Sequence, residues 1–356
     1  LSSATSEQQA DQATQSQTCA VTVTYGSRLA LVEQVVQGAL ACGAGHVVVV
    51  DNGTASAVAT GLSALPAQFG AERVSVVRLP ENMGSAGGFR AGVEAAAARP
   101  ETGHIWLLDD DNLPAPDALT VLAKIWRLMG ARPDVALVSF RPDKRTYQKL
   151  ITRDKPNSLL PNSFFGFSVQ SPWQKQTVAH WRQEGLACWS MDMAGYGGLW
   201  FHKDGLQKTG LPDARFYLYF DDYDFTLRMT EGGGQIWLCQ HSTLTDLEPS
   251  WTEGKAILHP WLQPENGLIR PYFSIRNRII LEKRAVHSRA IYRLNRTLFL
   301  LIKVFCATPR SVGYHLRHPV RMFRRWQLIR KAIRDGEAER FDNSLAHPGK
   351  VRPPAG

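Results

Sequence analysis

The chain has 356 residues, of which 44% are hydrophobic and 21% charged, a balance that suits one large globular domain with an appendage. Its five scattered cysteines form no C-x-x-C pair, which argues against a zinc site or disulfide framework and for a reducing compartment, and no run of 18 apolar residues is present to make a transmembrane helix. The formal net charge of +9 is concentrated late, with 18 Lys/Arg against 4 Asp/Glu between Arg270 and Arg340.

Residues 1–18 are polar and rich in Ser, Gln and Thr, and they read as a disordered leader. CAVTVTY (19–25) has the β-branched run of a strand. RLALVEQVVQGALACG spaces its apolar residues as a helix that stops at Gly43. HVVVVDNGT is a second buried strand ending at Asp51 and Asn52, and ERVSVVRLP is a third. SAGGFRAGVEAAAARP is a glycine-rich turn feeding a helix that Pro100 ends; it matches neither G-x-G-x-x-G nor a Walker A sequence. HIWLLDDDN is the fourth strand. Strand–helix alternation with continuous apolar strands predicts an α/β fold, a mostly parallel sheet flanked by helices.

From about 140 to 190 the chain reads as loop. Order returns at AGYGGLWFHKDGLQKTGLPDARFYLYFDDYDFTLRMTEGG, as a strand, a short helix and an acidic group at Asp221, Asp222 and Asp224. A helix with a glycine stop follows, and QIWLCQH is a strand ending at His241. The expected organisation is an α/β domain over 19–268, a basic helical region over 269–340 and a flexible tail over 341–356.

Polar residues gather just past the strand ends: Thr24 and Tyr25, Asp51 and Asn52, Asn82, and Asp109 to Asp111. In open α/β sheets ligands bind along that edge. A single Asp there reads as a helix cap or a turn. Three in succession repel one another and need a cation. The outer two point the same way, one suited to a hard ion such as Mg²⁺ or Mn²⁺ and the other to a ribose or base. In YFDDYDF, burial among aromatics would raise a carboxyl pKa, and such a group beside an acceptor hydroxyl can act as general base. The alternative there is charge matching at a helix N-terminus.

Taken together, VTVTYGSR, VVVVDNGT, ENMGSAGGFRAG, WLLDDDN, AGYGGLWFHKDGLQKTGLPDARFYLYFDDYDFTLR and YFSIRNRI resemble a family-two glycosyltransferase of the GT-A (Rossmann-like) fold, over about 19–285. Within that family NMGSAGGF, DDD and RNR are most similar to bacterial galactofuranosyltransferases, with rhamnosyltransferases close behind. The resemblance implies an inverting, metal-dependent transfer from a nucleotide-diphosphate sugar to a lipid-linked or growing bacterial surface glycan. UDP-galactofuranose is the first donor it implies, and dTDP-rhamnose the second. By position it implies that Thr24, Tyr25 and Asp51 hold the base, that Asn82 and Arg90 line the donor site, and that Asp109 and Asp110 face the nucleotide. Asp111 and His241 would ligate Mn²⁺ or Mg²⁺. Asp222 would be the base, Asp221 would orient the acceptor, and Gly198 and Trp200 would touch it. Gly26 stands where many relatives carry Asn, and Asp224 where Glu is commoner.

The basic region combines cations with Leu, Ile, Phe and Trp at helical spacing, a composition suited to an anionic membrane surface. It predicts a cytoplasmic protein peripheral at the inner face of the plasma membrane; the alternative is a solvated basic face packed on the α/β domain. Arg276, within SIRNR, has the forked geometry to take the donor diphosphate. Nucleic acid is not expected, because no recognition signature accompanies the charge. The rival from another class is a non-catalytic basic module that binds membrane or nucleic acid.

Overall fold

The computed structural model describes residues 2–170, 177–248, 259–263, 267–306, 313 and 316–346, with the backbone alone for 2–5. By compactness the chain divides into two units. The first comprises Leu1–Ser158, Gln176–Ala214 and Asp222–Pro249, and the second Leu159–Lys175, Arg215–Asp221 and Ser250–Gly356. The expected single boundary near 268 is therefore replaced by an interleaved one.

In the first unit, β1 (Thr18–Thr24), β2 (His46–Asp51), β3 (Val74–Arg78) and β4 (His104–Asp109) pair in parallel in the order β3-β2-β1-β4. Their side chains alternate between two apolar layers. Val21, Val23, Val48, Val50, Ile105 and Leu107 face one layer, while Ala20, Val47, Val49, Trp106 and Leu108 face the other. Each fully buried Val, Leu or Ile contributes about 1.5–3 kcal/mol, so runs such as HVVVV commit the chain to the middle of a sheet. Helices α2 (Leu29–Ala41), α3 (Ser56–Phe69) and α4 (Gly84–Ala97) connect these strands. Gly88 and Gly92 let α4 lie close on β1, because a Cβ at either would run into Val23 or Val21.

Beyond β4 the sheet becomes mixed. The chain continues through β5 (Asn112–Pro114), α5 (Ala118–Leu128), β6 (Val135–Phe140) and α6 (Arg145–Arg153). The hairpin β7 (His180–Gln183) and β8 (Leu186–Met191) follows, then β9 (Leu199–His202), α7 (Leu206–Thr209), α8 (Asp221–Glu231) and β10 (Gln235–Asp246). β9 inserts antiparallel between β4 and β6, and β10 runs parallel to β6 and antiparallel to β8. The stretch read as loop from 140 to 190 thus carries α6 and a hairpin. The polar leader is also ordered, as α1 (Ser2–Ser16). Its Asp11 is buried against Arg127 of α5, with hydrogen bonds of 2.8 and 3.2 Å; an ion-paired anchor holds a helix whose own composition buries little.

The second unit is built on α9 (Ile269–Glu282), α10 (Arg289–Phe299) and α11 (Pro319–Glu337), around Tyr272, Phe273, Ile275, Ile279, Ile329 and Ile333. Its described residues carry these helices, yet α9 is no basic surface: Arg276, Arg278 and Glu282 are all buried. The tail read as flexible from 341 is tied down at its start, where Lys331 donates to Asp342 at 2.8 Å; 347–356 lie outside the described residues. No helix among the described residues is long and apolar enough to cross a membrane.

Candidate active site

Strand register assembles the site. Asp51 of β2 lies opposite both Thr24 of β1 and Arg78 of β3, and Val23 lies opposite Asp109 of β4. Four strands therefore end together, and their polar termini share one edge. Asp51 is buried, and its carboxylate accepts the Thr54 amide at 2.8 Å. Asn82 is exposed after β3 and accepts the Gly84 amide at 2.9 Å, while buried Asn52 spans both loops. Gly53 permits this approach: its φ is +72° and a Cβ there would strike the backbone of Glu81 and Asn82. Tyr25 is half exposed beyond β1, and Arg90 is exposed on α4 with its guanidinium 3.3 Å from the Pro212 carbonyl.

The three aspartates separate into different environments. Asp110 is buried; Thr24 Oγ1 and Arg28 Nε each donate to its Oδ2 at 2.8 Å. Burial pushes its pKa up, and Arg28 and Thr24 offset part of that shift. Thr24 and Asp110, both expected near the nucleotide, thus bond each other. Arg28 also reaches Glu248 at 2.6 Å and Asp111 at 3.5 Å. Burial works against the Arg28 charge, yet Asp110 and Glu248 hold its pKa above the ordinary value.

Asp109 is partly exposed and faces a second arginine. Arg141, the first residue after β6, is buried and grips Asp246 through Nε and Nη2, both at 2.7 Å. Its Nη1 lies 3.2 Å from Asp109 Oδ2. Asn112 donates to Asp246 at 3.0 Å and to Asp111 at 3.3 Å, as the β5–β10 register requires by setting Asn112 opposite Asp246. Gly197 packs against this group: a Cβ there would come within 2.5 Å of Arg141 Nη1 and 2.6 Å of Asp109 Oδ2.

Asp111 carries the least compensated charge. Burial, then Asp109, Asp110 and Asp246, raise its pKa to about 6 against the opposing pull of Arg141. A carboxylate so placed gains from a further cation, and its oxygen donors suit a hard divalent ion. Among the described residues no three His, Cys, Asp or Glu side chains are gathered to hold a metal by themselves. An ion at Asp111 would take its remaining ligands from phosphate oxygens, the common arrangement for Mg²⁺.

Asp222, near the start of α8, lies beside the same glycine loop, its Oδ2 3.3 Å from where a Cβ of Gly195 would sit. Burial raises its pKa to about 6; the Tyr223 amide and Lys144 pull it down, while Asp109 adds to the rise. Lys144 in turn has its pKa lowered by burial and by Arg141, with Asp109, Asp222 and Asp246 opposing. The buried Asp221 precedes it.

Four expected site residues lie elsewhere. His241 was placed at a strand end as a metal ligand, but β10 bulges at 240–242 and runs on to Asp246, leaving His241 exposed mid-strand. Asp246 takes its place beside the aspartates. Trp200 is fully buried in β9, stacked on His104 at 4.1 Å with its indole N–H on Thr18, so no sugar reaches it. Gly198, with φ +93°, is an interior link whose amide donates to Leu107 and whose carbonyl accepts from Ser139. Arg276 lies inside the second unit, donating to the Phe216 carbonyl at 2.9 Å, the Asp342 carbonyl at 2.8 Å and Asn343 at 3.0 Å, which leaves no nitrogen for a diphosphate. Its neighbour Asn277 sits within 2.9 Å of the carbonyls of Phe216, Leu218 and Tyr219. The SIRNR motif therefore clamps the loop that opens α8.

Sequence reasoning missed Arg28, Arg141, Lys144, Asp246 and Glu248. The signal that found Asp51, a polar residue directly after an apolar strand, applies equally to Arg141 after VALVSF. Arg28 lies inside TYGSR, where its charge opposite DDD was a legible complement.

A family model described as glycosyltransferase like family 2 matches residues 17–259. No curated protein gives a significant match. Among solved structures the fold is similar to GalNAc-T7 in complex with UDP, GalNAc and Mn²⁺, at 10% identity and a TM-score of 0.49, over 75% of this chain and 47% of that one. The chain thus spans about half the length of that protein. It is also similar to the mannosyltransferase PcManGT from Pyrobaculum calidifontis in complex with GDP-Man and Mn²⁺, at 13% identity and a TM-score of 0.45, over 91% and 86% of the two chains. Similarity to S. aureus TarS 1–349 is at 11% identity and a TM-score of 0.43, over 94% and 93%. The family model covers more than half of the sequence and falls on the α/β sheet that gathers its carboxylates at one edge: the chain belongs to glycosyltransferase like family 2.

Proposed function

We propose that the protein moves a sugar, with inversion, from a nucleotide-diphosphate sugar to a glycan hydroxyl, with Asp222 as general base. The observation that carries this reading is the environment of Asp222. A carboxyl raised to about 6 is ionised at neutral pH yet basic enough to take a hydroxyl proton. Asp222 accepts the acceptor proton as the hydroxyl oxygen bonds to the anomeric carbon, and the bond from that carbon to the diphosphate breaks on the opposite face. A divalent ion, when bound at Asp111, supplies charge neutralisation to the leaving diphosphate. Arg28 and Arg141 hold Asp110, Asp109 and Asp246 in place so that Asp111 remains for that task.

UDP-galactofuranose is the donor the motifs NMGSAGGF and DDD favour, and dTDP-rhamnose is the second choice. The acceptor is a lipid-linked or growing bacterial surface glycan. A transfer assay with both donors, comparing wild type with Asp222→Asn, tests the reading. Turnover of UDP-galactofuranose that the variant loses supports it. Turnover of dTDP-rhamnose alone moves it to the second donor, and full turnover by Asp222→Asn removes Asp222 as the base.

A further inference from the structure

The start of α11 and the two residues before its cap present exposed apolar and basic side chains side by side. Val320 and Phe323 stand three residues apart on α11, the separation that sets residues on one helical face, and Leu316 lies just before the helix. Leu316, Val320 and Phe323 are 77%, 69% and 63% exposed, against an apolar interior only one residue away at buried Met322. Arg321 and Arg324 repeat that spacing one residue on, Arg317 precedes the helix, and all three are exposed. Next to them an open cleft of about 870 Å³ is lined by Leu268, Arg317, Arg321, Arg324, Arg325 and Lys331, and no described carboxylate lines it. Leu268 and Ile269, at the start of α9, are also exposed.

A solvated basic helix would need no apolar side chains beside its cations, and the core of a protein interface is depleted of charge, with its arginines set among aromatics and not in a row. Apolar side chains beside a row of arginines suit an interface where hydrocarbon and phosphate lie next to each other. We propose that this face of α11, with the residues just before it, docks on an anionic phospholipid bilayer, Leu316, Val320 and Phe323 entering the acyl boundary while the arginines and the cleft take up headgroup phosphates. It shares no residue with the aspartate edge and does not depend on the transfer reaction.

The test is co-sedimentation of the full chain with vesicles of phosphatidylcholine alone or of phosphatidylcholine with phosphatidylglycerol. Wild type should bind the anionic vesicles preferentially, and the preference should weaken as salt rises. Reversing the arginines (Arg317→Glu, Arg321→Glu, Arg324→Glu) should lower that affinity by at least about 100-fold. Val320→Glu with Phe323→Glu should lower it by at least about tenfold while the arginines stay in place. Both sets lie on exposed positions, and circular dichroism of each variant checks that the helices persist. Equal binding to both vesicle types, or unchanged binding by the Val320/Phe323 variant, would overturn the proposal. So would sedimentation velocity showing a wild-type dimer that Phe323→Glu dissociates, because this face would then be an interface between two copies.

Discussion

Arg141 holds Asp246 by two hydrogen bonds of 2.7 Å and turns its remaining nitrogen toward Asp109, 3.2 Å away. One guanidinium therefore ties the end of β10 to the end of β4, and burial of the guanidinium makes the tie costly to break. Burial works against the arginine's charge, but Asp109 and Asp246 keep its pKa above the ordinary value. Removing the cation leaves two partly buried anions facing each other. Arg141→Met should cost about 3–5 kcal/mol, read as a lowered melting temperature, and should abolish nucleotide binding. Arg141→Lys keeps the charge without the fork and should recover stability only in part. A variant as stable as wild type would show that the bridge contributes nothing.

The pH dependence of turnover follows from Asp222. Its pKa is raised to about 6, so the base is ionised above that pH and protonates as pH falls through it. At saturating metal, kcat should plateau above pH 7 and decline on the acid side with a midpoint near 6. Asp222→Asn should lower kcat by about 10²–10⁴-fold with nucleotide affinity unchanged. Linkage gives a second readout. A carboxyl whose folded pKa lies above its unfolded value is destabilising once ionised, so Asp222→Asn should raise thermal stability at pH 7. That gain should vanish below about pH 4, where both states of the wild type are protonated. A variant less stable than wild type at pH 7 would contradict the cause assigned to the shift.

Gly197 is a steric test of the aspartate edge. The space of its missing Cβ is taken by Asn112, Arg141 and Asp109. Gly197→Ala should displace the Asp109–Arg141 pair and weaken nucleotide binding by at least tenfold, while Gly130→Ala, whose Cβ would meet no neighbour but whose φ is +89°, should cost stability and leave binding intact. Isothermal titration with UDP compares the two.

The loop before α8 depends on Asn277. Tyr217, Tyr219 and Phe220 all have positive φ, a conformation that costs about 1–3 kcal/mol per residue and persists only when held. Asn277→Ala removes the amide shared by three carbonyls and should cost about 2–3 kcal/mol. Limited proteolysis should then cut within 215–221 faster than in wild type. Unchanged cleavage would mean that the loop is held without the clamp.

Much of the aspartate edge was legible because it obeys a local rule: an apolar strand followed at once by a polar residue. That rule located Thr24, Asp51 and Asp109 to Asp111, which strand register then brings together. It failed where the chain departs from local regularity. At β10 the polar run QHST reads as a strand end, but the chain bulges and resumes pairing, so the terminal residue is Asp246 and not His241. Trp200 and Arg276 failed for a different reason. Chemical type shows what a side chain can bind, while burial decides what it does bind. Trp200 is spent on His104, and Arg276 on backbone carbonyls. The leader misled because its helix is stabilised by a tertiary ion pair from Asp11 to Arg127, which no local pattern records.

Asp111, the least compensated of the three aspartates, is the residue proposed to receive a metal together with a nucleoside diphosphate. The most direct measurement is a thermal-shift panel of UDP, dTDP, GDP and CDP, each with and without Mn²⁺, on wild type and on Asp111→Asn. A ligand at a hundred times its dissociation constant stabilises the fold by about 2.7 kcal/mol, a readily visible shift. The account predicts a shift with UDP that requires Mn²⁺ and is lost in Asp111→Asn. A shift from no nucleotide under either condition, or a UDP shift indifferent to both Mn²⁺ and Asp111, would contradict it.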